Sequence, residues 1–191
     1  MTATMTTMPR SRLRAQIVLV ALSACGLAAL AWASFVQPAA HVVYNPSNSV
    51  PVGWYRIEPL NSPTDSLQRP LSVGIIVLAR LPADVAALAS QRGYLPSHIP
   101  LLKRVGAIAP QHVCIVGGVV RIDGVPVAAV LTADRMGRSL SSWPQCRPLA
   151  DGELFLLSVT NSASFDSRYF GPIRASAVIG AAQPIHLEQR P

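Results

Sequence analysis

Lysine is all but missing from this chain. Of its 16 basic residues, 15 are arginine, and Lys103 stands alone. Acidic residues are also few, 9 among 191. No block of basic residues interleaves with aromatics, so nucleic acid is not an expected partner. The 3 cysteines form no CxxC pair, and His41, His98, His112 and His186 have neither ligand spacing nor a paired acid. Neither a metal centre nor a bound cofactor is expected. Repeats and low-complexity linkers are absent, and the length suits one domain with an appendage.

The hydrophobic residues, 50% of the chain, are concentrated in one place. Ile17–Val36 is a run of 20 residues without a charge. As a helix it would span about 30 Å, the hydrocarbon core of a bilayer. Arg10, Arg12 and Arg14 precede it, and the next cation is Arg56. The positive-inside rule then predicts residues 1–16 in the cytoplasm, an anchor over 17–36, and 37–191 outside. Trp32 and Phe35 read as interface anchors. Two other readings stay open. Leu22-Ser-Ala-Cys25 resembles a lipoprotein cleavage box, although the residues after Cys25 stay apolar where a polar tether is needed. Ala31-Trp-Ala33 has the A-x-A form of a signal-peptidase site, although the run exceeds a usual signal-peptide core. Residues 37–191 carry 13 basic and 9 acidic side chains, a scattered net +4 that attracts lipid headgroups weakly.

Cys25 falls in the apolar run, which leaves Cys114 and Cys146 in the exported part. An oxidising compartment favours their pairing. Closing that loop stabilises by about 3–4 kcal/mol on the chain-entropy account. The chain's 17 prolines break it into short pieces. Strand-like runs recur at Gly53–Ile57, Val73–Arg80, Leu101–Ile108, His112–Val116, Val119–Ile122, Val125–Val130, Leu154–Val159 and Ala177–Pro184. Asp123-Gly124 suits a hairpin turn. One helix is expected over Pro82–Arg92, ended by Gly93. Asn61–Pro70 is the most loop-like stretch. The fold class is mainly β with a short helical insert.

The lone lysine invites a chemical reading. Arginine keeps its charge in a protein, whereas a buried lysine can lose its proton near neutral pH and become a base. Lys103 lies in the apolar run Ile-Pro-Leu-Leu-Lys-Arg-Val. Ser49 lies in the turn-rich segment Asn45-Pro-Ser-Asn-Ser-Val-Pro-Val-Gly-Trp-Tyr55, which could present a hydroxyl. Serine with a neutral lysine is a hydrolase pair. The plainer reading of Lys103, a surface cation between strand residues, stays open on these grounds alone.

A family resemblance narrows the choice. Asn45-x-Ser47-x-Ser49-x-Pro51-x-Gly53-x-Tyr55 resembles the serine box of TraF-type conjugative transfer peptidases, a branch of the signal peptidase I family. Arg92-Gly-Tyr-Leu-Pro96 with Leu101-Leu-Lys-Arg-Val105 resembles the lysine box. Gly152-Glu-Leu-Phe with Ser164-Phe-Asp-Ser-Arg-Tyr-Phe-Gly-Pro172 resembles the last box. The resemblance implies the signal peptidase (LexA-like) antiparallel β-fold behind one N-terminal transmembrane helix. It implies Ser49 as nucleophile, Lys103 as general base, and the Ser47 hydroxyl with the Ser49 backbone N–H as oxyanion hole. Ser164 would orient the lysine amine, with Asp166 and Arg168 a structural pair behind it. A lysine base of this kind needs its pKa lowered by about 3, at about 4 kcal/mol of folding free energy.

The resemblance therefore implies a serine endopeptidase in a bacterial inner membrane, its peptidase domain (37–191) in the periplasm. The implied substrate is a membrane-embedded, pilin-like precursor of a conjugative transfer system. Other proteins of the conjugation apparatus and the bilayer are the further partners. Both hydrolysis and cyclisation of the precursor remain open, since both pass through one acyl-enzyme. A general signal peptidase and an inactive scaffold of the transfer machinery are the alternatives. Asp151 and Glu153 read as loop charges, and Trp54 as a packing residue.

Overall fold

The computed structural model describes residues 10–35, 41–60 and 71–188, and within the first helix the side chains of 14–28, 30 and 31. The chain divides into two units, 1–38 and 39–191. In the first unit, residues of high helix propensity form α1, Arg10–Phe35. Its described side chains are exposed, among them the free thiol of Cys25. Among the described residues no helix is long and apolar enough to cross a membrane. Val36, where the uncharged run ends, and the side chains of Trp32 and Phe35 lie outside the described residues, as does the expected loop Asn61–Pro70.

The second unit is antiparallel β. In chain order its strands are β1 His41–Asn45, β2 Gly53–Glu58, β3 Ile76–Ala79, β4 Leu101–Ile108, β5 His112–Val116 and β6 Val119–Ile122. They continue as β7 Val125–Ala129, β8 Cys146–Pro148, β9 Glu153–Leu156, β10 Ile173–Arg174 and β11 Val178–Leu187. Helices α2, Ala83–Gln91, and α3, Ser167–Phe170, interrupt them. One sheet has the order β1-β2-β11-β3-β4-β9-β10 and a smaller one the order β7-β6-β5-β8.

Side-chain period explains the placement. On β2, Gly53, Tyr55 and Ile57 turn inward while Trp54 and Arg56 turn out. The four residues of β3 are all buried, as suits a strand flanked by β11 and β4. Val50, Tyr55, Ile57, Ile76, Leu78 and Leu102 pack together beneath the serine-bearing segment. Trp143 and Phe155 anchor a separate cluster with the small sheet's Val113, Val120 and Ile122.

Four expected strands lie where the pattern puts them, at β2, β4, β5 and β6. Val73–Arg80 begins later, at Ile76, because the chain turns at Gly74, φ 93°. Leu154–Val159 ends at Leu156, because Ser158 N–H is taken by the Asp166 carboxylate, 3.0 Å, rather than by a neighbouring strand. Ala177–Pro184 runs on to Leu187 through a bulge after Pro184. Asp123 and Gly124, φ 51° and 82°, form the β6–β7 turn. Gly53 is required where it stands: φ is 145°, and a Cβ would lie 2.2 Å from the His186 carbonyl oxygen.

Candidate active site

Ser49 sits in the bend joining β1 to β2, and Asn45 shapes that bend. The Asn45 amide donates to the carbonyls of Ser47 (2.8 Å), Val50 (3.1 Å) and Pro51 (3.1 Å). Its Oδ1 accepts from the Ser47 N–H (3.2 Å) and Oγ–H (2.9 Å). The Tyr55 hydroxyl donates to the Pro51 carbonyl, 2.6 Å, and burial raises its pKa against the opposing charge of Arg104. Asn45 opens the serine box, but the sequence reading gives it no role of its own; an Asx side chain two residues before Ser47 is the signal for one. The Oγ atoms of Ser47 and Ser49 lie 2.7 Å apart in a hydrogen bond.

Lys103 is on β4, opposite Val77 on β3. It is 2% exposed, and its ammonium donates to the Ser164 hydroxyl. Burial lowers its pKa to about 8; the Asp166 carboxylate pulls the other way and Arg168 adds to the lowering. Ser164 is itself fixed, because Arg168 Nη2 donates to its carbonyl, 3.2 Å. Asp166 and Arg168 are fully buried and paired at Nε–Oδ1 2.8 Å and Nη2–Oδ2 2.8 Å. Arg168 also holds the carbonyls of Ala129 (2.8 Å) and Asn161 (3.0 Å), so one side chain ties three segments together.

Ser47, Ser49, Lys103 and Ser164 line a single cleft of about 1150 Å³. Among the described residues no hydrogen bond joins Ser49 to Lys103. Leu78 and Leu102 give the cleft apolar wall. Another wall is a polar clamp that the sequence pattern does not expose. Arg138 Nε pairs with Asp134 Oδ2, 2.7 Å, the Tyr94 hydroxyl donates to the same carboxylate, and Arg138 Nη2 holds the Arg92 carbonyl, 2.9 Å. Burial opposes ionisation of Asp134, but the bonds from Tyr94, Arg138 and Met136 hold its carboxyl well below the usual carboxylate range. In the sequence Arg92 and Tyr94 stand out only as part of a motif, and the clamp joins them to residues 40 or more positions away.

Other expectations fall away from the cleft. Cys114 and Cys146 face each other across β5 and β8, Cα–Cα 4.1 Å, and are joined in a disulfide. His112 lies beside them, Nδ1 3.5 Å from the Cys114 sulfur. Among the described residues this trio is the one cluster with metal-ligand proximity, and its sulfurs are bonded to each other. Glu153 is not a loop charge: it lies on β9 and forms a two-pronged pair with Arg147, 2.7 and 3.0 Å, because the strand edge places the two side chains in reach. Asp151 stays in an exposed turn. Trp54 is 47% exposed and leans on Tyr44 across the β1–β2 pair, ring centroids 5.1 Å apart.

Residues 14–187 match the family described as signal peptidase, peptidase S26. A probable conjugal transfer protein TraF from Sinorhizobium fredii is 35% identical over 148 residues, 74% of each chain. A plasmid transfer protein TraF from Escherichia coli is 31% identical over 179 residues, 91% of this chain and 95% of that one. A conjugal transfer protein TraF from Agrobacterium fabrum is 37% identical over 150 residues, covering 74% and 80%. A signal peptidase I structure from Enterococcus faecalis covers 59% of this chain and 97% of its own at 18% identity and a TM-score of 0.37, a likeness too weak to argue from. The family match spans almost the whole chain and the relatives agree with it, so the chain belongs to the peptidase S26 signal peptidases, in their TraF-type conjugal transfer branch.

Proposed function

We propose that this chain is a serine endopeptidase with a Ser49–Lys103 dyad that processes a pilin-like precursor for conjugative transfer. The observation that carries the reading is the buried amine of Lys103, its pKa lowered to about 8, in the same cleft as the Ser49 hydroxyl. At neutral pH about a tenth of such an amine is unprotonated and able to act as base.

The reaction runs as acyl transfer. The Ser49 hydroxyl leaves Ser47 and turns to Lys103, whose neutral amine takes the proton as Oγ attacks the scissile carbonyl. The carbonyl oxygen becomes an oxyanion, and the Ser49 backbone N–H and the Ser47 hydroxyl, its hydrogen turned from Asn45 Oδ1, donate to it. The Lys103 ammonium returns the proton to the departing amine, leaving a Ser49 ester. Water, or the precursor's own amino group, then gives a proton to Lys103 and attacks the ester; the acyl C–Oγ bond breaks and the Lys103 ammonium returns that proton to Ser49 Oγ. Water yields a linear product and the amine a cyclic one. Ser164 holds the lysine amine in place, and Asp166 with Arg168 holds Ser164.

The uncharged run Ile17–Val36 behind three arginines supports an anchor in the bacterial inner membrane with the peptidase unit in the periplasm. Ser49 follows that run by 13 residues, which suits a membrane-embedded precursor.

The test is processing of the pilin precursor in cells. Ser49→Ala is expected to abolish it with the protein still folded. Lys103→Arg is expected to do nearly the same, because arginine keeps the charge and cannot serve as base. Near-wild-type processing by Lys103→Arg overturns the reading, since a lysine serving only as a cation is replaceable by arginine.

A further inference from the structure

Helix α2 ends in a closed cap that fixes Tyr94. Gly93 takes φ 69°, its N–H donates to the Ser90 carbonyl, 3.0 Å, and the Tyr94 N–H donates to the Ala89 carbonyl, 2.8 Å. These two bonds form a Schellman cap, which sets the direction of the chain leaving the helix. Tyr94 is half-buried in the cleft wall, and its two ends touch different things.

The hydroxyl reaches a hairpin over residues 131–140. Leu140 N–H donates to the Thr132 carbonyl, 2.8 Å, Asp134 N–H donates to the Arg138 carbonyl, 2.9 Å, and Ala133 pairs with Ser139. Asp134, Met136 and Arg138 of this hairpin line the cleft. Tyr94 donates to the Asp134 carboxylate, and the Arg138 guanidinium lies over its ring, 5.4 Å from the centroid. The ring's other neighbour is Phe165, centroids 5.0 Å apart. Phe165 packs in turn on Tyr169 (5.9 Å, stacked) and Phe170 (5.5 Å). The Tyr169 hydroxyl accepts from the Leu131 N–H, 3.2 Å, so the same aromatic group carries the base of the hairpin.

Phe165 follows Ser164, whose hydroxyl receives the bond from the Lys103 ammonium. Two hydrogen bonds hold the Ser164 backbone, its N–H to the Asn161 carbonyl and Arg168 Nη2 to its own carbonyl, each 3.2 Å. Both stand at the long end of the usual range. The loop before Ser164 is exposed at Ser162 and Ala163, so the packed anchor of this segment on the cleft side is the Phe165 ring.

We propose that Tyr94 is a positioning residue for the general base: its ring, through Phe165, holds Ser164 against the Lys103 amine, while its hydroxyl holds the hairpin that walls the cleft. The catalytic meaning of this role rests on Lys103 being the base.

The single lysine of the chain makes the test specific. With isotope-labelled lysine in the full chain in detergent, the one lysine side-chain NMR signal is that of Lys103, and its titration needs no substrate. The charges that act on this amine are Asp166 and Arg168, and no variant used here alters them. Weakening the Ser164 bond disfavours the ammonium, so Tyr94→Leu should lower the midpoint by about 0.5, in the direction of Ser164→Ala. Adding Tyr94→Leu to Ser164→Ala should lower it no further, since the effect passes through Ser164. Tyr94→Phe keeps the ring and should restore the wild-type midpoint. On the precursor, Tyr94→Phe should raise KM about threefold with kcat little changed, and Tyr94→Leu should lower kcat as well. Phe165→Leu should reproduce the lowered midpoint, and it carries the test if Tyr94→Leu does not fold. A midpoint unmoved in the leucine variants, one that rises as water entry would make it, or a further drop in the double variant overturns the assignment. Such a result leaves the peptidase reading standing, whereas near-wild-type processing by Lys103→Arg sinks that reading whatever the lysine signal does.

Discussion

The hydroxyls of Ser47 and Ser49 are bonded to each other at 2.7 Å, and among the described residues neither is hydrogen-bonded to Lys103, whose ammonium donates to Ser164. On the proposed mechanism Ser49 exchanges one partner for another before attack, and the Ser47 hydroxyl, whose hydrogen rests on Asn45 Oδ1, turns from Asn45 to face the oxyanion. Ser47 is kept in position by Asn45, which accepts from its N–H and its Oγ–H. Ser47→Ala is expected to lower kcat about 10²–10³-fold with KM little changed. Were Ser47 only a turn residue, the variant would lose thermal stability and keep its kcat. Measuring both in one preparation separates the two roles.

The pH profile carries a second expectation. On the proposed mechanism Lys103 serves as base in its neutral form, and burial has lowered its pKa to about 8. Activity on the precursor should rise as pH increases through about 8 and level off above it. Ser164→Ala removes the group that receives the ammonium's hydrogen bond. A bond to the charged form favours that form, so this variant should move the rise to lower pH while slowing the plateau rate. An unmoved midpoint in Ser164→Ala would show that Ser164 does not act on the lysine.

Much of this site is legible in the sequence because its chemistry is local. The scarcity of lysine marks Lys103 without any knowledge of the fold, and the turn residues around Ser49 mark an exposed hydroxyl. Leu101–Ile108 can be read directly because apolar residues flank its two charges, and from Lys103 on its positions alternate between buried and half-buried. The hidden features depend on long-range closure. Asp134 and Arg138 meet Tyr94 across 40 positions, and no period in the sequence connects them. The short strand at Cys146–Pro148 escapes a reading of pattern because three residues ending in proline carry none; its register comes from pairing with β5. Arg104 looks like the companion of Lys103, yet alternation along β4 sends the two side chains to different cavities.

Asp166 and Arg168 predict a structural failure. Both are fully buried, and Arg168 spends its remaining donors on the carbonyls of Ala129, Asn161 and Ser164. Asp166→Asn leaves that guanidinium with an uncompensated buried charge, at a cost of about 3–5 kcal/mol. A urea midpoint far below wild type is expected. Loss of activity in Asp166→Asn without loss of stability would mean that the pair acts on the chemistry and not on the frame.

The Cys114–Cys146 bridge lies in the small sheet and contributes no side chain to the cleft. Replacing both cysteines by serine should lower stability by about 3–4 kcal/mol, the loop-closure contribution of a 32-residue separation. Processing at a temperature where the variant is still folded should be near wild type. Reduction of the wild-type protein should reproduce the stability loss and leave the serine variant unchanged.

The sharpest stability test concerns Lys103. Its folded pKa, about 8, lies below its ordinary value of 10.5, so between those values the unfolded chain binds more protons than the folded one. The sign is then fixed. The burial cost is fully present below pH 8, and it is relieved as pH rises from about 8 to 10.5. The size is about 3 kcal/mol, from 1.36 kcal/mol for each unit of pKa difference. Lys103→Met removes the ionisable group while filling similar space. Its advantage over the wild type, measured as the difference in unfolding free energy, should shrink by about 3 kcal/mol across that pH range. Its absolute stability at neutral pH will gain less than that, because the Ser164 hydroxyl loses its partner. The slope is the diagnostic quantity, since Ser164 contributes nothing to it. A difference that stays flat from pH 8 to 10.5 would mean the folded amine keeps its ordinary pKa, and Lys103 would then be no base at neutral pH.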